Sequence, residues 1–200
     1  MQLKAHLKTA FVTFLLTSVG WIVVGLVFFR PVIQATAPKS FLAGAGDGPP
    51  ARVDVAGGWI IPVAGIGRAE LVDTYTQSRD GGERVHNAID IAAPAGTPVV
   101  AAAAGRVEKL FLSNDGGNTV YIRLPGEEIL TYYAHLGAYA QGLREGQPVQ
   151  QGQFIGTVGS TGNADPAAPH LHFAVYRMTP GSAWHEAGEP VNPLPLLTQR

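Results

Sequence analysis

From Thr9 to Phe29 the chain runs 21 residues without a charge. As a helix this stretch is about 31 Å long at 1.5 Å per residue, enough to cross a hydrocarbon core of about 30 Å. Trp21 and the pair Phe28–Phe29 suit the interface region. The apolar core of a secretory signal peptide is shorter, about 7–15 residues. Ala35-Thr36-Ala37 has the look of a cleavage site, but Pro38 follows it directly. The expectation is an uncleaved anchor over residues 9–29 after a short cytoplasmic segment, residues 1–8. Lys4 and Lys8 bias the N-terminus to the inside. Residues 30–57 read as a tether, because Pro31, Pro38, Pro49 and Pro50 break helices and AGAGDG is glycine-rich. Some 27 flexible residues have a root-mean-square reach near 30 Å.

A length of 200 residues then leaves room for one domain, expected over residues 58–198. The chain has no cysteine, which excludes disulfides, thiolate metal sites and cysteine nucleophiles. Glycine (25) and proline (15) favour many turns and short strands over helices. Three of the 14 basic residues and no acidic residue fall in the first 30. Residues 31–200 therefore hold 11 basic against 15 acidic residues, a balance of about −4. Such a domain has no general attraction to nucleic acid.

Short apolar runs rich in Val, Ile, Tyr and Phe alternate with turn signals over 58–62, 88–91, 98–101, 106–112, 119–123, 129–133, 154–158 and 170–177. The run Asn114-Asp-Gly-Gly-Asn118 is a turn between two of them. This pattern predicts an all-β, antiparallel sandwich or barrel. It also contains an echo. Gly96-Thr-Pro-Val99 with Gly105-Arg-Val107 returns as Gly146-Gln-Pro-Val149 with Gly156-Thr-Val158, which two related hairpins packing in a closed β-structure would account for, as would chance similarity in a chain rich in Gly and Pro.

Six histidines occur. His6 precedes the apolar stretch, and His185 lies in a polar, glycine-containing segment; both read as plain polar positions. His170-Leu-His172 opens a strand-like run. Alternation puts His170, His172 and Ala174 on one face and Leu171, Phe173 and Val175 in the core. His86 and Asp90, four apart, share a face. A straight strand would hold their α-carbons about 13 Å apart, near the limit for one ion, so a bend is expected at Asn87-Ala88. His135 ends another expected strand. Two imidazoles and a carboxylate suit Zn²⁺ with a fourth position open to water. The remaining histidines are then available for proton transfer or oxyanion stabilisation.

These residues stand in a recognisable text: His86-Asn-Ala-Ile-Asp90, Ala93-Pro-Ala-Gly-Thr-Pro-Val99, Thr131-Tyr-Tyr-Ala-His-Leu136, Gly159-Ser-Thr-Gly162 and Pro169-His-Leu-His-Phe173. In order and spacing, residues 58–195 resemble the lysostaphin/LytM-type zinc metallopeptidases, which cut peptide bridges in bacterial peptidoglycan. The resemblance implies a two-layered antiparallel β-fold with a groove across the site. It implies one zinc per domain on His86, Asp90 and His172, and a catalytic pair in His135 and His170. Two departures are visible: Ala88 stands where the family often has glycine, and the 163–169 loop is long and rich in Pro and Ala.

The expected protein is thus a membrane-anchored zinc endopeptidase acting on peptidoglycan cross-link peptides. A lone anchor fits a bacterial inner membrane with the catalytic domain in the periplasm. The rival reading is a non-catalytic or occluded module, covered by the 163–169 or 78–84 loop, that binds or activates other wall enzymes or an envelope partner. A lipoyl- or biotinyl-carrier domain is disfavoured, because the only lysine after the tether, Lys109, falls inside an expected strand rather than at a hairpin tip.

Overall fold

The computed structural model describes residues 58–126 and 128–199. The expected anchor, the tether and His6 lie outside them. No helix among the described residues is long and apolar enough to cross a membrane.

The elements in chain order are β1 (Ser78–Arg79), β2 (Arg84–Val85), β3 (Ile89–Ala92), β4 (Pro98–Val100), β5 (Gly105–Ser113), β6 (Gly117–Arg123) and β7 (Ile129–Tyr139). They continue with β8 (Pro148–Val149), β9 (Phe154–Val158), β10 (His170–Arg177), β11 (Glu189–Val191) and a closing helix α1 (Pro193–Thr198). Strands β1 and β2 form a separate hairpin; the others form one sheet ordered β11-β10-β7-β6-β5-β8, with β3 on β10 and β9 joining β4 to β7. The fold is all-β and antiparallel, as expected.

Alternation drives the packing. In β10, Leu171, Phe173 and Val175 are fully buried, and in β6 Val120 and Ile122 meet them in the core. Each large apolar side chain removed from water is worth about 1.5–3 kcal/mol. Ala174 shares the face of His170 and His172 yet is also fully buried, opposite Tyr132 of β7. The run 58–62 forms no strand. Pro62 lacks an N–H for a ladder, and this segment instead follows β4 through single bonds, Ile60 N–H to Ala102 C=O and Val100 N–H to Pro62 C=O. Its Trp59 still enters the core.

The sequence echo is structural. Pro98–Val100 of the first unit pairs with β9 of the second, and Pro148–Val149 of the second pairs with β5 of the first. Equivalent residues meet, Val99 opposite Gly156 and Val149 opposite Gly105. Both glycines sit under a neighbouring backbone. A Cβ on Gly105 would lie 2.5 Å from the Arg123 carbonyl oxygen, and one on Gly156 would lie 2.6 Å from that of Ala138. Backbone cannot step aside as a side-chain tip can. Gly105→Ala and Gly156→Ala are therefore expected to destabilise by similar amounts, about 1–3 kcal/mol. Thermal melts should show this as a fall of about 3–12 °C in Tm.

Candidate metal centre

Strand β10 runs antiparallel to β3, with His172 directly opposite Asp90. Cross-strand pairing thus brings two of the expected ligands side by side. His86 arrives from the connection before β3. Asn87 takes a left-handed conformation at φ 57°, one that Asn tolerates better than most residues. This is the expected bend. Ala88 is fully buried and is not among the positive-φ positions, so the missing glycine is without consequence.

A buried threonine clips the turn in place. The Thr74 carbonyl accepts from His86 Nδ1 at 2.9 Å. Its hydroxyl accepts from Asp90 N–H at 2.9 Å and donates to the Ala88 carbonyl at 3.3 Å. Because a carbonyl only accepts, the His86 proton resides on Nδ1 and Nε2 presents a lone pair inward.

Three atoms then converge. His86 Nε2 lies 3.0 Å from His172 Nδ1 and 3.1 Å from Asp90 Oδ1, and His172 Nδ1 lies 3.1 Å from the same oxygen. Ligand atoms about 2.0–2.1 Å from a tetrahedral zinc are about 3.3 Å apart, so this triangle fits such an ion to within a few tenths of an ångström. Burial holds the His172 imidazole below the ordinary histidine value, which favours the neutral form a metal requires. For Asp90, burial pushes the pKa up, but hydrogen bonds to His172 and His86 outweigh it and the net direction is strongly down. The carboxylate is anionic at neutral pH.

His135 and His170 stand beside this cluster, with ring centres 5.0 Å apart, and His135 lies 5.6 Å from His172. The expected strand end at His135 is instead a kink. Residues 129–134 of β7 pair with β10, residues 136–139 pair with β9, and His135 between them has φ 58°. Undistorted alternation would send His135 to the core face of Tyr133. The left-handed residue turns it into the groove instead. Its Nδ1 donates to the Thr161 carbonyl at 2.8 Å, which leaves Nε2 bare. His170 Nδ1 likewise donates to the Ala168 carbonyl at 2.9 Å. Burial lowers the His135 pKa, against the opposing effect of the Thr161 bond.

The groove encloses about 470 Å³ and is lined on its flanks by Arg79, Arg84, Asp115, Tyr121, Tyr132 and Tyr176. Burial lifts the Tyr121 phenol to about 12 and pushes that of Tyr132 higher still, so both remain O–H groups. Segment 163–165 lines one wall without closing the site. The side chains of Asp90, His170 and His172 keep 22%, 19% and 19% of their exposure. His185 is exposed against Trp184, away from the cluster. Lys109 lies in β5 and pairs with Glu145 at 2.9 Å.

Thr74 and Arg79 carry no signal in sequence spacing, whereas Thr161 stands in the run Gly159-Ser-Thr-Gly162. Arg79, on β1, donates from Nη2 to Asp90 Oδ2. It thereby fixes the carboxylate with Oδ1 toward the two imidazoles. Removing such a partner commonly weakens metal binding about 10–100-fold. Arg79→Ala is expected to do so in competition with a fluorescent zinc chelator, and Arg79→Lys is expected to restore part of the loss.

The model of peptidase family M23 matches residues 84–193. The L-Ala--D-Glu endopeptidase of Bacillus subtilis is 38% identical over 109 residues, covering 52% of this chain and 33% of that protein. Peptidoglycan DD-endopeptidase ShyC of Vibrio cholerae is 42% identical over 90 residues, covering 45% and 20%. The chain thus spans a third or less of these curated relatives. The catalytic domain of lysostaphin from Staphylococcus simulans superposes with a TM-score of 0.53 at 30% identity, covering 64% of this chain and 92% of that domain. The matched span exceeds half of the chain and holds His86, Asp90, His135, His170 and His172, and on that ground the chain belongs to peptidase family M23.

Proposed function

We propose that this chain is a zinc endopeptidase that hydrolyses amide bonds in the cross-link peptides of peptidoglycan, held at the outer face of a bacterial inner membrane by residues 9–29. The observation that carries the reading is the convergence of His86 Nε2, Asp90 Oδ1 and His172 Nδ1, 3.0–3.1 Å apart, beside two further imidazoles. The names of the B. subtilis and V. cholerae relatives support the substrate class.

His86, Asp90 and His172 would hold the ion. Zinc on three protein ligands supplies Lewis-acid polarisation and makes water acidic near neutral pH. The chain's own residues move the proton. His135, buried and neutral, accepts it at Nε2 from the attacking water and returns it to the leaving amine. His170, whose Nδ1–H is held by the Ala168 carbonyl, presents Nε2 to the developing oxyanion and donates to it when protonated. The Tyr132 phenol, held as an O–H group, orients the peptide along the groove. Asp90 and His172 keep 22% and 19% of their side-chain exposure toward the groove although Arg79 bonds the outer carboxylate oxygen, which favours this reading over an occluded module.

The test is incubation of the full chain, in detergent with one equivalent of zinc, with purified cross-linked peptidoglycan. Products are read by mass spectrometry. Zinc-dependent loss of cross-linked peptides supports the proposal and names the bond. Intact cross-links beside stoichiometrically bound zinc would replace it with the non-catalytic, partner-activating reading.

A further inference from the structure

A ladder of aromatic rings leaves the metal centre across the outer face of the sheet. Ring centres are separated by 5.9 Å from His172 to Tyr132, 4.7 Å from Tyr132 to Tyr121, 5.0 Å from Tyr121 to Trp184 and 5.1 Å from Trp184 to Phe111. Tyr121 and Tyr132 are cross-strand partners and line the groove. The outer end of the ladder does not belong to the core. Phe111 is 38% exposed and Trp184 half-buried, whereas Tyr133 and Phe173 on the inner face are fully buried.

Trp184 is held there by a dedicated support. It belongs to the 178–188 connection between β10 and β11. Arg123, paired with Glu108 through Nε and Nη2, also donates from Nη2 to the Ser182 carbonyl at 3.0 Å. Ala183 N–H bonds the Glu186 carboxylate at 2.9 Å. The rings around the indole meet it at 50°, 56° and 76°, so none stacks flat on it. Arg123 follows Tyr121 by two residues and shares its face. Next to the rings, though walled by none of them, is a second cavity of about 620 Å³ lined by Arg106, Glu108, Arg123 and Ser182.

A preorganised aromatic surface bordered by charged donors and acceptors matches a pyranose ring. The C–H face of the sugar packs on the indole, and its hydroxyl and acetamido groups find hydrogen-bond partners beside it. A purely apolar partner would strip water from Arg106 and from the Glu108–Arg123 pair, which is costly. We propose that Trp184, Phe111 and Tyr121 form a glycan subsite that seats an N-acetylhexosamine ring of the strand carrying the cleaved peptide. The occupant, though not the surface itself, rests on the peptidoglycan reading above.

The test uses the full chain in a detergent without a sugar headgroup, titrated with the β-1,4-linked tetramer of N-acetylglucosamine and followed by isothermal titration calorimetry. Saturable binding is expected, weakened about tenfold or more in Trp184→Leu and largely retained in Trp184→Tyr. The kcat/KM ratio for glycan-linked over sugar-free cross-linked peptide should fall in Trp184→Leu by a similar factor. Absence of saturable binding by the wild type, with peptidoglycan still cleaved, overturns the subsite and leaves the peptidase. Binding without cleavage of either substrate supports the subsite and overturns the peptidase. An equal loss on both substrates assigns the surface to peptide and overturns the glycan assignment.

Discussion

Replacing His172 by alanine is expected to remove tight zinc binding and to lower peptidoglycan cleavage by about 10³-fold or more, since Lewis-acid stabilisation is worth several kcal/mol and each 1.36 kcal/mol is tenfold in rate. The fold should survive. His172 faces the groove, and the neighbours that fill the core are Leu171 and Phe173. Circular dichroism should therefore match the wild type, while metal analysis falls from one equivalent toward zero. Hydrogen exchange should rise in residues 86–92 and 170–173, because the two strands then lose the ion that ties them together. Retention of stoichiometric zinc with near-normal cleavage would remove His172 from the ligand set.

His135→Asn should separate chemistry from metal. Asn accepts the left-handed backbone that His135 adopts at φ 58°, so the strand kink is preserved. The variant is expected to bind one equivalent of zinc and to lose about 10²–10⁴-fold in kcat, the usual contribution of a general base. The pH profile gives a second readout. Burial lowers the His135 pKa, and a cation nearby acts in the same direction. The base form therefore persists below the ordinary histidine value of about 6.5. Wild-type activity should decline only as the pH falls through that lowered pKa, and the residual activity of the variant should lack this acidic limb. The sign for stability is the same: the group binds its proton more readily unfolded than folded. Its contribution is present above the unfolded value and is lost as the pH falls from there through the lowered folded value.

Much of this site could be read in the sequence because the relevant contacts follow strand periodicity. The spacing His170-Leu-His172 puts two imidazoles on one face, and a bend was required if His86 and Asp90 were to meet. The resemblance then supplied the partners. What escaped was non-local. Thr74 lies 16 residues from Asp90 and 12 from His86, and it bonds the first through a hydroxyl and the second through a carbonyl that any threonine offers. Arg79 sits on a two-residue strand too short to leave an alternating pattern. The kink at His135 comes from β7 changing partners, and its sequence, Tyr133-Ala-His-Leu136, contains no glycine or proline to mark it. Conversely, the apolar run at 58–62 reads as a strand and is not one, because burial of Trp59 and Val63 needs only packing while a ladder needs the N–H that Pro62 lacks.

The crossed pairing of the two Gly-x-Pro-Val units bears on how the protein comes into being. Each half borrows a strand from the other, so a polypeptide emerging from its N-terminus can finish neither until residue 158 has appeared. His172 comes later still, on the strand that meets Asp90. The three-residue ligand set is therefore complete only once residue 172 has been made, after both crossed strands are in place.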